Sequence, residues 1–300
     1  MQAVIKTENL TKKFGDKLAV DSLNLTVNRG DIYGFIGRNG AGKTTAMKLI
    51  LNLLTPTEGR VTLFGQTPDQ VTLKKVGSLI ESPALYGGAT AYENLYRVSL
   101  LTGGTKDEIM SILEFVGLGD VKNKKVKQFS LGMKQRLGIA VALMGNPELL
   151  ILDEPINGLD PKGIKEIREL ILKINREKNV TFLISSHVLS ELEKIATTYA
   201  LIENGRLIEE ISAEKLEKLL EKNVFAVVDD VQKAKRIIEE QLGVTVRIDT
   251  ERSAVIAAQS ADKIDAVCKA LVLGGVAVKE LKPEGIDFEQ YFLTRTGVEK

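Results

Sequence analysis

The eight residues GRNGAGKT, Gly37 to Thr44, constrain this chain more than any other stretch. They match G-x-x-x-x-G-K-[ST], and such a string arises by accident in on the order of one chain in a hundred of this length. The context narrows the choice further. An apolar run, IYGFI, precedes the loop, and a helix-like run, TTAMKLILNLL, follows it. Gly37, Gly40 and Gly42 would let the backbone curl so that successive N–H groups, those of Asn39 and Ala41 among them, point inward at anionic oxygens. The new helix would add its positive end. Lys43 would bring an ammonium to the β- and γ-phosphates of a nucleotide. Thr44 would offer a hydroxyl to Mg²⁺, and Thr45 would bond another phosphate oxygen. A phosphate loop is expected in this place, between a strand and a helix of an α/β unit.

A second run, ELLILDEP at 148–155, is an apolar strand that ends in two carboxylates. Neighbouring strand residues point to opposite sides, so Asp153 and Glu154 can divide two roles at the strand end. Asp153 is expected to hold Mg²⁺, and Glu154 to orient or deprotonate the attacking water. The chain's single histidine, His187, follows a third apolar run, VTFLISS at 180–186.

With 41 Lys+Arg against 40 Asp+Glu, the chain is not expected to bind nucleic acid through bulk charge. One cysteine, Cys268, forms no internal disulfide and fits a reducing compartment. The N-terminus lacks the pattern of a signal peptide, and the longest apolar runs, LGIAVALMG and ALVLGGVAV, are about half of a bilayer span. The chain is therefore expected to cross no membrane itself.

Residues 1–210 form the expected α/β unit, with DIYGFIG (31–37), LLILDE (149–154) and VTFLISS as buried parallel strands. The opening stretch alternates and is expected to be antiparallel. From 66 to 146 the pattern turns helical and irregular, with a helical subdomain at about 85–146. A charged helix at 211–222 serves as linker. Residues 223–300 follow a β-α-β-β-α-β order, which predicts a small α+β, ferredoxin-like domain. That domain carries no glycine fingerprint, metal-ligand cluster or nucleophile–base pair, so a docking or regulatory module is expected.

Four further strings make the chain resemble an ABC-transporter ATPase subunit: FSLGMKQRLGIAVAL (129–143), PINGLDP (155–161), SSHVLSEL (185–192) and KKFGDKLAV (12–20). The resemblance covers about residues 1–210, with six motifs in the family's order. It implies a P-loop NTPase fold with an antiparallel β subdomain and a helical subdomain. It also implies ATP and Mg²⁺ as ligands, and a head-to-tail homodimer with two sandwiched nucleotides. Ser130 would cap the signature helix and present its N–H groups to the γ-phosphate across the interface. Gly132 would permit close approach, and Asp160 would communicate between the sites. His187 would hydrogen-bond the γ-phosphate, and Phe14 would stack on adenine, although a Phe beside Gly is also an ordinary strand-end residue. A separate membrane-spanning permease would be the partner, which places the chain in the cytoplasm on the inner face of the membrane.

Two departures from the family pattern narrow the resemblance. Leu131 and Met133 stand where the signature usually has Gly and Gln, and Glu81 stands where a loop Gln usually touches Mg²⁺ and water. An ionised carboxylate accepts hydrogen bonds but donates none. Glu81 must then lie against Mg²⁺, point at the permease, or become protonated. Both departures resemble the bacitracin and lantibiotic resistance exporters, which implies peptide-antibiotic cargo. A soluble ABC-type ATPase acting on ribosomes or DNA, and a regulatory subunit that binds ATP but barely cleaves it, remain as alternatives.

Overall fold

The computed structural model describes residues 2–220, 223–257, 263–285 and 287–296, and the chain divides into two compact units, Met1–Ala213 and Glu214–Lys300. Residues 221–222, the end of the expected linker, and 258–262, where a strand ends and a helix starts in the expected pattern, lie outside the described residues, as do 286 and 297–300.

The first unit has two sheets and a helical layer. The strands β1 (Ala3–Phe14), β2 (Lys17–Leu23), β3 (Thr26–Asn28) and β5 (Glu58–Leu63) make an antiparallel sheet, as the alternating pattern predicts. The second sheet runs β10 (Arg206–Ser212), β9 (Thr198–Glu203), β4 (Ile32–Ile36), β8 (Thr181–Ser186), β7 (Leu149–Asp153), β6 (Val76–Leu79). All its pairs are parallel except β9–β10. Every residue of β4, β7 and β8 is buried, which is why their sequences are continuous apolar runs rather than alternating ones.

Between the two sheets lies α1 (Lys43–Ile50). Its Ala46, Met47, Leu49 and Ile50 share one core with Ile5, Leu10, Val20, Phe35 and Leu149. The helical layer holds α3 (Ala91–Thr102), α4 (Lys106–Phe115) and α5 (Leu131–Leu143); a short α2 (Gln70–Leu73) precedes β6. Thr90 caps α3 in a reciprocal box with Glu93, and Thr105 caps α4.

The strand β6 interrupts a stretch whose pattern is helical and irregular. It is four residues long and contains Gly and Ser, so no β-branched run announces it. Gly77 explains its placement: a Cβ there would lie 1.9 Å from the Ala142 carbonyl oxygen, so only glycine lets β6 meet α5 this closely.

The helix α6 (Pro161–Lys178) starts with Pro at its first position and Asp160 as N-cap, accepting from the Gly163 N–H at 3.0 Å. Its Ile167, Leu170, Ile171 and Ile174 face the core. A four-residue helix, α7 (Leu189–Leu192), follows β8, and α8 (Ala213–Leu219) follows β10.

The second unit alternates β11 (Asn223–Val228), α9 (Val231–Leu242), β12 (Val246–Asp249), β13 (Ala254–Ala257), α10 (Ile264–Leu273) and β14 (Val278–Glu284). Its sheet is antiparallel throughout, in the order β12-β13-β11-β14. Val224, Ala226 and Val228 of β11 share a core with Ala234 and Ile238 of α9 and Val267 and Leu271 of α10. A further helix, α11 (Phe288–Thr296), follows and buries Phe288, Tyr291 and Phe292.

Candidate functional site

Three neighbouring parallel strands, β4, β8 and β7, end at the same edge and deliver the site. The first leads into Gly37–Lys43, the second ends in Ser185, Ser186 and then His187, and the third ends in Asp153 and then Glu154. Ligands in open α/β sheets bind outside the carboxyl ends of the strands.

The glycines of the loop are required by geometry at two points. Gly42 has φ 105°, and a Cβ on it would lie 2.3 Å from the Ala19 carbonyl oxygen. A Cβ on Gly37 would lie 2.5 Å from the carbonyl oxygen of Ile202. The loop is thus clamped between the antiparallel sheet and β9. Because Gly42 is the N-cap, no side chain caps α1, and its first N–H groups are left for an anion.

Lys43 is buried, with Nζ donating to the Gly37 carbonyl at 2.5 Å and to the Arg38 carbonyl at 3.3 Å. The same ammonium lies 3.2 Å from Glu154 Oε1. The Thr44 hydroxyl donates to Asp153 Oδ2 at 2.7 Å, and the Ser185 hydroxyl to Asp153 Oδ1 at 2.5 Å. The Ser185 oxygen also accepts from the Glu154 N–H at 2.9 Å. Glu154 has φ 50°, a strained conformation for a residue with a side chain. Its Oε2 meets His187 Nδ1 at 2.8 Å and the His187 backbone N–H at 3.3 Å. Lys43, Glu154 and His187 therefore form one connected charge and hydrogen-bond array, with Thr44 and Asp153 beside it.

This array borders an open cavity of about 340 Å³, lined by Phe14, Lys17, Arg38, Asn39, Gly40, Gly42, Lys43, Thr44, Thr45 and Glu154. Phe14 is about half exposed, and Lys12 Nζ lies 5.2 Å from its ring centroid.

Four expected site residues stand apart from the loop, the array and the cavity. Glu81 is largely exposed, has φ 62°, and pairs with Lys48 Nζ at 2.6 Å. Ser130 is the N-cap of α5, accepting from the Met133 N–H at 3.2 Å. Gly132 sits next on that helix, where a Cβ would approach Leu159 at 3.8 Å. The Asp160 carboxylate caps α6. Ser130, Gly132 and Asp160 thus border a second surface of the same chain. Ser185, Lys17 and Arg38 join the site without having been expected. Ser185 had one available signal: a hydroxyl at the end of an otherwise apolar buried strand must find a partner.

Fold and site define a P-loop nucleoside triphosphatase with an added antiparallel subdomain and a helical subdomain. A family profile described as ABC transporter matches residues 20–157. The bacitracin transport ATP-binding protein BcrA of Enterococcus faecalis is 49% identical, over 82% of this chain and 81% of that protein. The lantibiotic transport ATP-binding protein SrtF of Streptococcus pyogenes is 43% identical, over 74% of this chain and 98% of that protein, so about a quarter of this chain has no counterpart there. A solved dimeric structure of a post-hydrolysis ATP-binding cassette, bound to ADP and Pi, superposes with a TM-score of 0.62 at 27% identity, over 70% of this chain and 98% of that one. The chain belongs to the ABC transporter family, as an ATP-binding, ATP-hydrolysing subunit.

Proposed function

We propose that this subunit powers an exporter of peptide antibiotics of the bacitracin or lantibiotic type. The likeness to two relatives named for those cargoes carries the reading. It is supported by the two departures from the family pattern, Glu81 and the SLGMKQR signature.

In the proposed mechanism the N–H groups of Gly37–Lys43 and the Lys43 ammonium bind the β- and γ-phosphates, and Phe14 stacks on the adenine. Thr44 and Asp153 supply a hydroxyl and a carboxylate 2.7 Å apart, a hard-oxygen pair that fits Mg²⁺. When bound, Mg²⁺ neutralises charge on the terminal phosphates. Glu154 holds the attacking water and takes its proton. The place of Glu154 on the cavity lining, between Lys43 and His187, supports that assignment. His187 orients the Glu154 carboxylate and bonds the γ-phosphate.

Two copies close head to tail, so that the N-terminus of α5, capped by Ser130 with Gly132 beside it, meets the partner's γ-phosphate. Asp160 lies between the two sites. The dimeric cassette among the solved structures supports this arrangement. Glu81, exposed and paired with Lys48, serves the face that a membrane-spanning permease would contact rather than the metal. Among the described residues no helix is long and apolar enough to cross a membrane, which supports a separate permease and a peripheral position on the inner membrane face. The organisation into a cassette at 1–210, a linker at 211–222 and an accessory domain at 223–300 is part of the same proposal. So is a ferredoxin-like second unit, which the β12-β13-β11-β14 order supports.

The test is to isolate the chain from membranes with its membrane-spanning partner and express the pair in a sensitive host. The parent pair raises tolerance to bacitracin or a lantibiotic, and the pair carrying Glu154→Gln does not. Unchanged tolerance to both classes with the parent pair contradicts the cargo assignment.

A further inference from the structure

His187 sits on a segment held by the Val188 N–H bond to Ser186 Oγ at 2.9 Å and by the buried Leu192. The helix that follows it, α7, is four residues long and has no side-chain cap. Glu191 ties the segment to a neighbouring helix. Its Oε2 accepts from Arg168 Nη1 at 2.5 Å, and its Oε1 from Lys194 Nζ at 2.6 Å. Arg168 belongs to α6, the helix that starts at Pro161 beside Asp160. Both partners are largely shielded, at 22% and 16% exposure, and border a small, mostly apolar cavity with Pro155, Ile164, Ile171 and Ile184.

A shielded ion pair is costly to form and gains stability only with good geometry. Burial opposes ionisation of Glu191, but the bonds from Lys194 and Arg168 outweigh it and hold the carboxyl below its usual range. Apolar side chains would fill this place at less cost, so the pair calls for another reason. Geometry offers one. Glu191 is four residues beyond His187, and His187 Nδ1 is 2.8 Å from Glu154 Oε2.

We propose that Arg168 and Glu191 are a positioning pair, through which α6 holds the His187 segment so that the imidazole stays on the Glu154 carboxylate. The inference rests on the reading that Glu154 and His187 act in hydrolysis. Neither Arg168 nor Glu191 touches the cavity that receives nucleotide, so their removal acts on turnover and not on ATP capture.

The test uses the full chain without a histidine tag. Arg168→Met and Glu191→Gln each lower kcat about tenfold, with KM for ATP within about twofold, because a misplaced catalytic group costs rate rather than affinity. The double variant is no slower than the slower single one, as expected for a coupled pair. Arg168→Lys, which keeps the charge, restores most of the rate and controls for loss of fold. The chain has one histidine, so isotope-labelled His187 gives a single imidazole signal in the nucleotide-free protein. That signal moves in Arg168→Met toward its position in Glu154→Ala. Parental kcat, or an unmoved signal, in Arg168→Met and Glu191→Gln overturns the proposal while Glu154→Ala and His187→Ala stay inactive. If those two variants hydrolyse ATP at the parental rate, the site reading fails and the proposal with it.

Discussion

Glu154 is held by a small number of contacts that each constrain a different degree of freedom. Its left-handed backbone is fixed by the N–H bond to Ser185 Oγ, and its carboxylate spans Lys43 and His187. The strain stored at φ 50° survives because the surroundings over-determine it. Ser185 does two things at once, since the same oxygen donates to Asp153 and accepts from Glu154. Removing it takes one hydrogen bond from each of the two acids. We expect Ser185→Ala to reduce kcat by about ten- to a hundredfold and to raise the Mg²⁺ needed for half-maximal rate, as loss of a supporting hydrogen bond at a ligating carboxylate does. A Mg²⁺ titration of steady-state ATP hydrolysis checks this; parental kcat and parental Mg²⁺ dependence would contradict it. Lys43, Asp153 and Glu154 were legible because each follows from a local pattern, a glycine loop or a strand end. Ser185 was not, and neither was the pairing of Glu81 with Lys48, because both depend on partners about thirty residues away in the chain.

At the scale of elements, β4, β7 and β8 were visible as unbroken apolar runs because both of their faces are covered. The strand β6 was not, because tight packing against α5 through Gly77, and not a run of β-branched residues, places it there. The helix α11 had no place in the expected β-α-β-β-α-β pattern and appears only in the structure.

The strands are also tied at the end opposite the site. Glu148, beside the start of β7, takes a hydrogen bond from Arg29 Nη2 at 2.6 Å and lies 3.3 Å from Lys75 Nζ, next to β6. The Arg29 bond, aided by Lys75 and opposed by burial, holds its carboxyl below the usual 4.5. A carboxyl lowered in the folded state contributes stability that is present above its unfolded value and is lost as pH falls through the folded value. Part-exposed pairs contribute less than about 1 kcal/mol. We therefore expect Glu148→Gln to lower the urea midpoint slightly near neutral pH. The gap to the parent should close as pH falls below 4.5. A gap of constant size across that range would contradict the assignment.

At the scale of the whole molecule, the expected site residues fall in two separate places on one chain. The cavity at the sheet edge carries residues of the phosphate loop, Glu154 and Phe14, while Ser130 and Gly132 lie outside it at the N-terminus of α5. The proposed account joins them across two copies, with ATP as the adhesive and hydrolysis as the release. Blocking the release should therefore trap the pair. The most direct measurement is the solution mass, by light scattering, of the Glu154→Gln chain with and without Mg²⁺ and ATP. The account predicts 32.9 kDa without nucleotide and twice that mass with it. A mass that stays at 32.9 kDa while ATP is bound one per chain would contradict it.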